Sequence, residues 1–263
     1  MIPLLLLFDI DGTLLAGATE AHAAALHTAL REVHGLHEVE RERTRGIDPA
    51  GRTDPEIARA ILLAHDVSAE RIDARADDVR IAASEVYAQT CPADLSDKVL
   101  PGVPELLAQL AARDDVRLAL VTGNYETIAR VKLRAAGIGH WFDGGPGGFG
   151  SDSEDRTDLP GIARMRAAEP SPRGVAAADQ GAWELPATSR GDDPPSWNSQ
   201  SAAHPRERAV VIGDTPRDVA CALADGVRCI GVETGRFKAA DLHGATSVAP
   251  GAHALAPLID ALV

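Results

Sequence analysis

The segment LLLLFDIDGT, residues 4–13, decides the fold of this chain. Residues 4–10 are mostly apolar and have the length and composition of a buried strand. Side chains alternate along a strand, so the carboxylates of Asp9 and Asp11 point to the same side. Such a pair allows one carboxylate to attack a substrate while the other, protonated, donates to the leaving group.

Further apolar runs follow along the chain and alternate with helical patterns. They occupy residues 118–121, 210–212 and 229–232. This alternation predicts a parallel sheet with helices on both faces. Ligands of such sheets bind beyond the carboxyl ends of the strands. The residues that close the runs are Asp9, Thr122 and Asp214.

The composition of the chain changes twice. Residues 17–97 are rich in Ala, Arg and Glu in helical patterns and predict a second, smaller all-helical domain beside a core formed by residues 1–16 and 98–263. Residues 168–206 are rich in Pro, Ser and Gly and have no sustained periodicity. Their low apolar content predicts a disordered excursion from the core.

The charge and cysteine content limit the partners and the compartment. A net charge of -13 and a pI near 5.1 disfavour nucleic acid and anionic membranes as partners. The three cysteines have no C-x-x-C spacing and fit a reducing compartment. The first apolar run has no basic segment before it, and no stretch has the length of a membrane span. We therefore expect a soluble, cytoplasmic protein.

The segment LVTGN, residues 120–124, ends the second predicted strand. The hydroxyl of Thr122 and the backbone N–H of Gly123 are donors that can approach an oxyanion. Alternatively, Thr122 or Asn124 caps the helix that follows.

The segment VVIGDTPRDVACALADG, residues 210–226, predicts a strand that ends at Asp214 and a helix that begins near Pro216. Asp218 has the spacing of a capping box, which is a structural role. Asp214 precedes the cap and can meet the carboxylates of the first strand. Converging carboxylates repel each other unless a cation lies between them, and oxygen ligands suit Mg²⁺.

The motifs FDIDGT, VTGN and GDTPRD, in this order and each at a strand end, resemble the first, second and fourth motifs of the haloacid dehalogenase superfamily. The resemblance implies a Rossmann-like core. The helical segment 17–97 resembles the cap domain of the phosphoglycolate-phosphatase-like branch. The implied activity is Mg²⁺-dependent hydrolysis of a small phosphate ester through an aspartyl-phosphate.

The resemblance also assigns roles to residues. Asp9 is the nucleophile, and Asp11 is the general acid and base. The phosphoryl group is held by the donors of Thr122 and Gly123. The expected phosphate-binding and substrate-binding residues also include Gly12, Thr13 and Asn124. The expected magnesium ligands are Asp9, Asp11 through its backbone carbonyl, Asp214, and Asp218 through the water shell.

The third motif of the family supplies a cation and is the point at which this sequence departs from the common Lys-Pro pattern. Lys132 lies eight residues beyond Asn124, and at ~1.5 Å per residue this places it roughly 12 Å from the active edge. Its position predicts a surface or helix-packing residue. Arg156 is expected in a loop at the correct edge of the sheet, where its guanidinium can bridge Asp9 and phosphate. We therefore favour Arg156 over Lys132.

The segment GRTDPEI, residues 51–57, resembles the substrate-specificity loop of the cap. Arg52 and Thr53 are therefore candidates to contact the part of the substrate that does not react. The alternative is that Thr53 or Asp54 caps the helix that starts near Pro55.

Three other functions fit the same motifs less well. A dehalogenase does not need Asp11, and a phosphonate-cleaving relative needs an amine that the lysine-free segment 17–97 does not have. A sugar phosphomutase shares the catalytic residues and is the main alternative. A non-catalytic phosphate-binding or interaction protein is the alternative from another class, but it would not need two carboxylates that face the anion.

Overall fold

The computed structural model describes residues 2–168 and 203–263. Its core is a six-stranded parallel sheet. The strands are β1 (Leu4–Phe8), β2 (Val116–Thr122), β3 (Gly147–Phe149), β4 (Ala209–Gly213), β5 (Arg228–Val232) and β6 (Ser247–Ala249). Their order in the sheet is β3-β2-β1-β4-β5-β6. The predicted α/β class is confirmed, and the four predicted apolar runs coincide with β1, β2, β4 and β5.

The helices fall into two groups. The first group lies between β1 and β2 and comprises α1 (Glu20–His34), α2 (Arg41–Thr44), α3 (Asp54–Ala64), α4 (Ala69–Ala74) and α5 (Ala76–Thr90). The second group packs on the sheet and comprises α6 (Val103–Ala111), α7 (Glu126–Ala135), α8 (Leu159–Ala168), α9 (Pro216–Asp225) and α10 (Leu255–Asp260).

The central strand β1 is buried on both faces, which explains its uninterrupted run of leucines. Leu4, Leu6 and Phe8 belong to one apolar cluster, and Leu5 and Leu7 belong to another. Alternate residues of β1 therefore pack against the helices of opposite faces.

The sheet register brings the predicted site residues together. Phe8 of β1 pairs with Leu120 of β2 and with Ile212 of β4. The three strands therefore end at the same edge, and the residues that follow β1 and β4 or close β2 lie side by side there.

Residues 17–97 are all described and contain no strand. They form most of an apolar cluster that includes Leu30 and Tyr87 and that Tyr125 and Ile128 of the core complete. The two connections to the core run side by side: Ala16 N–H donates to Lys98 O at 2.8 Å, and Leu100 N–H donates to Leu14 O at 3.0 Å. This pairing supports a domain boundary after residue 16 and before residue 98, which we keep as a proposal.

Most of the excursion predicted for residues 168–206, with Trp183 and Trp197, lies outside the described residues. Its two ends are part of the core, because Ala168 closes α8 and the carbonyl of buried His204 accepts a hydrogen bond from Arg164 at 2.7 Å. In the described part of the chain, no helix is both long enough and apolar enough to span a membrane.

Candidate active site

A cavity of about 730 Å³ lies between the carboxyl edge of the sheet and the helical segment 17–97. The strand ends form its floor, and the helical segment forms the wall above it. The residues that the motifs predict and that line the cavity are Asp9, Asp11, Gly12, Arg52, Thr122, Gly123, Asn124, Arg156 and Asp214.

Arg156 holds the nucleophile candidate Asp9. Its Nη2 donates to Asp9 Oδ1 at 2.8 Å and to Asp218 Oδ1 at 2.5 Å, and all three side chains are buried. The side chain of Asp155 accepts a hydrogen bond from Thr157 N–H and fixes the short helical turn that carries Arg156. Arg156 Nε is buried and has no partner among the described residues.

Burial and mutual repulsion raise the pKa values of two carboxyls on the floor. Burial raises the pKa of Asp9 to about 7, against the lowering effect of Arg156. Burial and the nearby Asp9 and Asp218 raise the pKa of Asp214 to about 8. These raised pKa values indicate that the positive charges of the protein alone do not balance the negative charges of the carboxylates on the floor.

The Asp214 carboxylate is tightly enclosed. A Cβ added at Gly12 or at Gly235 would overlap it, and Gly12 has a φ of +94°. Glycine at position 12 thus serves both the left-handed backbone and the close approach of Asp214. The hydroxyl of Thr13 donates a hydrogen bond to Asp214 Oδ1 at 3.4 Å.

Asp9, Asp214 and Asp218 can each place one carboxylate oxygen within 4.8 Å of the others, which is a spacing that a cation can bridge. Asp218 has other partners as well. Its Oδ2 accepts from the N–H and the hydroxyl of Thr215 in a complete capping box, and its Oδ1 accepts from Arg156. The oxygens of Asp9 and Asp214 are therefore more available to a metal than those of Asp218.

Thr122 is fully buried at the end of β2, with its hydroxyl at the cavity. Its Oγ1 accepts from Asn124 N–H at 3.3 Å and from Asn124 Nδ2 at 2.7 Å. Because the oxygen accepts both bonds, the hydroxyl hydrogen can be donated to a ligand. Asn124 Nδ2 also lies 2.9 Å from Asp11 Oδ2, so this amide connects the first and second motifs.

The prediction that Lys132 is a surface or helix-packing residue is wrong. Its side chain is 0% exposed, and its Nζ donates to Asp11 Oδ1 at 3.0 Å, Asp11 Oδ2 at 2.8 Å and Asn124 Oδ1 at 2.9 Å. A helical side chain leans towards the N-terminus of its helix, and a lysine has four methylenes. Lys132 therefore reaches back along α7 to the active edge.

The lysine sets the charge state of Asp11. Burial alone would raise the pKa of Asp11, but the positive charge of Lys132, with His22 and the hydrogen bonds from Lys132 and Asn124, lowers it below its ordinary value. Asp9 and Asp11 are therefore each paired with a cation, Arg156 and Lys132 respectively.

His22 and Asp54, from the helical segment, complete this network. His22 Nε2 is 3.0 Å from Asp54 Oδ2, and His22 Nδ1 is 3.3 Å from Lys132 Nζ. Asp54 Oδ2 also accepts from Tyr125 N–H at 2.7 Å. The sequence predicts no site role for His22, because an isolated histidine in a helical pattern has no spacing that points to a partner.

Arg52 and Thr53, the two candidates in the specificity loop, differ in their contacts and in their access to the cavity. Thr53 is 0% exposed and is the N-cap of α3: its hydroxyl accepts from Glu56 N–H and donates to the carbonyl of Glu154. Arg52 lines the cavity and pairs with Glu56 at 2.9 Å. The structure thus supports the capping role for Thr53 and places Arg52 where a ligand can reach it.

Gly123 allows the loop of residues 51–54 to contact the floor of the cavity. Its carbonyl accepts from Asp54 N–H at 2.8 Å, and a Cβ at position 123 would overlap the backbone carbonyl of Arg52. Only glycine allows the loop 51–54 to approach so closely.

The parallel sheet with helices on both faces makes this a Rossmann-like α/β protein, and its paired carboxylates lie at the carboxyl edge of the sheet. Within that class, the chain belongs to the haloacid dehalogenase-like hydrolase family, whose model matches residues 4–178. A second model of the same group, HAD-hydrolase-like, matches residues 193–261. No curated protein matches the chain significantly.

Solved structures of this family share the fold. CbbY from Rhodobacter sphaeroides, solved in complex with phosphate, is 22% identical with a TM-score of 0.59, and the match covers 97% of each chain. A β-phosphoglucomutase from Clostridium difficile is 17% identical with a TM-score of 0.60 over 100% of this chain and 97% of that one. A hydrolase of the family from Streptococcus pneumoniae is 17% identical with a TM-score of 0.56 over 98% of each chain.

Proposed function

We propose that this chain is a Mg²⁺-dependent phosphomonoester hydrolase that acts on a small phosphorylated metabolite through an aspartyl-phosphate on Asp9. One observation carries the proposal: Asp9 and Asp11 line one cavity, and each is paired with its own buried cation. A protein that only bound phosphate would gain nothing from two carboxylates facing the anion.

In the first step, Asp9 attacks phosphorus, and the bond from phosphorus to the ester oxygen breaks. Arg156 orients the carboxylate and brings its positive charge to the cavity, and the Thr122 hydroxyl and Gly123 N–H can donate to phosphoryl oxygens. These donors neutralise charge on the transferring group and hold it in line.

Asp11 transfers the protons. It protonates the leaving oxygen in the first step and, once ionised, accepts a proton from the water that attacks the aspartyl-phosphate in the second. Lys132 favours the ionised form that the second step needs. A phosphate dianion beside Asp11 acts in the opposite direction and favours the protonated form that the first step needs.

Asp9 and Asp214, with the backbone carbonyl of Asp11, are the residues that would hold Mg²⁺, and Asp218 would support its water shell. The raised pKa values of Asp9 and Asp214 fit this placement, because a divalent cation stabilises the ionised carboxylates. When bound, Mg²⁺ supplies positive charge that reduces repulsion between Asp9 and the phosphate dianion.

We further propose that residues 17–97 act as a cap that closes the cavity and selects the substrate. The contacts from Asp54 to Gly123 and from Thr53 to Glu154 support this role, because they connect the segment to the floor at the reaction site. The alternative activity is that of a sugar phosphomutase. A mutase would rearrange a sugar phosphate without releasing inorganic phosphate.

The test is release of phosphate from p-nitrophenyl phosphate by wild type and by Asp9→Asn, each with Mg²⁺ and with EDTA. We expect Asp9→Asn to lower kcat by about 10⁴-fold or more, since a lost nucleophile removes the covalent route. We expect EDTA to abolish turnover and Mg²⁺ to restore it. Full activity of Asp9→Asn, or turnover in EDTA, would refute the proposal.

A further inference from the structure

The cavity wall contributed by the helical segment is apolar, in contrast to the charged floor. The apolar side chains that form this wall, with one contribution from the core, are those of Ala23, Leu26, Ile47, Ile57, Ile61 and Phe237. A ligand whose phosphoryl group lies at Asp9 would therefore place the rest of its body against hydrocarbon.

Most polar side chains of the helical segment on this wall already have protein partners, whereas those of Thr19 and His27 have no hydrogen-bond partner among the described residues. Both ring nitrogens of His22 lie within hydrogen-bond distance of a partner, Asp54 or Lys132. The Thr44 hydroxyl can donate to a backbone carbonyl of the turn that precedes it. Asp48 pairs with Arg236 of the core. These groups would have to give up existing bonds to hold the hydroxyls of a sugar.

The wall also offers little positive charge to a second anionic group. Arg52 is paired at 2.9 Å with Glu56 of α3, the helix that follows it. Burial and the neighbouring His65 lower the pKa of His27, so this residue adds no charge at neutral pH. Arg52 Nε has no partner in the described part of the chain, but it is buried away from a ligand. The wall therefore leaves few donors for a ligand, namely Nη2 of Arg52 and the side chains of Thr19 and His27, and its two arginines, Arg52 and Arg236, each already pair with a carboxylate.

We propose that the preferred substrate is the phosphomonoester of an uncharged, mainly apolar alcohol, alkyl or aromatic, with one acceptor that can reach Arg52. This inference rests on the proposed hydrolase function and specifies its substrate class. Hydroxyls buried without partners cost on the order of tenfold each in affinity, so sugar phosphates are disfavoured. Esters with a carboxylate or a second phosphate are disfavoured because the nearby cations are already paired.

The first experiment measures kcat/KM with Mg²⁺ for methyl, butyl and hexyl phosphate and for glucose 6-phosphate and phosphoglycolate. We expect kcat/KM to rise about fourfold per methylene along the alkyl series, which follows from the free energy of burying a CH₂ group. Glucose 6-phosphate and phosphoglycolate should both fall below butyl phosphate. A flat alkyl series, or a higher kcat/KM for either of the other two esters, would overturn the inference.

The second experiment compares two substitutions on the same helix. Ile57→Thr introduces a hydroxyl into the apolar wall, whereas Leu63 on α3 is 49% exposed and does not line the cavity. We expect Ile57→Thr to lower the ratio of hexyl to methyl phosphate kcat/KM about tenfold. Leu63→Thr should leave the ratio unchanged. Equal ratios in the two variants would contradict the assignment of the wall.

A binding measurement separates this inference from the proposed function. Calorimetric titration of the alkyl phosphates into Asp9→Asn protein reports affinity without turnover. Tighter binding with chain length supports the substrate class even if wild type hydrolyses none of the esters, in which case only the hydrolase proposal fails. Hydrolysis of p-nitrophenyl phosphate together with length-independent binding overturns the substrate class and leaves the hydrolase proposal standing.

Discussion

The floor and the wall of the cavity are built on opposite principles. On the floor, four carboxylates lie beside two buried cations, and their charges are only partly balanced. On the wall, aliphatic side chains predominate, and the polar groups are mostly bonded to the protein. The floor belongs to the strands of the core and the wall to the helical segment.

The two surfaces therefore respond differently to substitution. A substitution on the floor changes the reaction, whereas one on the wall changes the choice of substrate. A buried charge that loses its partner is strongly destabilised, so the floor does not tolerate change. An apolar wall tolerates volume-conserving swaps at a cost that is usually below about 1.5 kcal/mol. Substitutions in the wall should therefore change the substrate preference of this protein while the reaction on the floor is kept.

The largest effects are expected from the two floor cations. Arg156→Met should lower kcat by about 10²- to 10³-fold for p-nitrophenyl phosphate and for butyl phosphate alike, because the arginine acts on the phosphoryl group. Lys132→Met should slow hydrolysis of the aspartyl-phosphate by about tenfold with either ester, because Asp11 ionises less readily without the lysine, and the loss should shrink as the pH rises and Asp11 ionises again.

The matched control is Lys98→Met, since Lys98 is 38% exposed and pairs with the adjacent Asp97. Its kcat should be unchanged with both esters. A loss in Lys132→Met that stays the same as the pH rises would contradict the link to Asp11. Wild-type activity of Arg156→Met would remove Arg156 from the mechanism.

The next effect concerns stability and pH in the absence of Mg²⁺. The pKa of Asp214 is raised to about 8 in the folded protein, so the folded state retains a proton that the unfolded state has lost. The free energy of unfolding should therefore fall as pH rises, by about 2 kcal/mol between pH 6 and pH 8 for this group. Urea unfolding in EDTA at the two pH values measures it.

Asp214→Asn is the reference for this measurement, because it lacks the titrating group. It also subtracts the opposite contribution of three histidines whose pKa values burial lowers: His27, His34 and His204. The wild type should lose more stability than Asp214→Asn over this range, and Mg²⁺ should remove the difference. An equal or smaller loss in the wild type would show that Asp214 is ionised without a metal.

The smallest effect is expected where the helical segment meets the floor. Thr53→Ala removes the N-cap of α3 and the bond to the Glu154 carbonyl, and should cost about 1 to 2 kcal/mol in the free energy of unfolding. Thr53→Ser keeps the hydroxyl and should retain most of that stability. If Thr53→Ala unfolds at the same urea concentration as wild type, the cap does not stabilise this junction.

The sequence predicts the strands that carry the site better than the edge strands. β1 and β4 are long apolar runs that end in aspartate, so both the strand and its functional end can be recognised. β3 and β6 have three residues each, which is too short for a periodic pattern. The capping role of Asp218 follows from its spacing to Thr215, and the structure confirms it.

Lys132 and His22 show why the rest of the site could not be predicted. The number of residues between Asn124 and Lys132 gives only the distance of the Lys132 backbone from the active edge. The contact with Asp11 depends instead on the direction and length of the lysine side chain. His22 gains its partners only when α1 and α3 pack together over the floor. Both contacts are tertiary, between residues that are distant in the sequence.

The two connections between the core and the helical segment are hydrogen-bonded to each other. The segment is therefore covalently attached along a single edge. Ion pairs that are at least partly exposed also join it to the core, from Arg236 to Asp48 and from Arg217 to Glu56. Ion pairs of this kind weaken as the salt concentration rises. We therefore expect access to the cavity to change with the ionic strength of the solution, even though the floor itself is shielded from it.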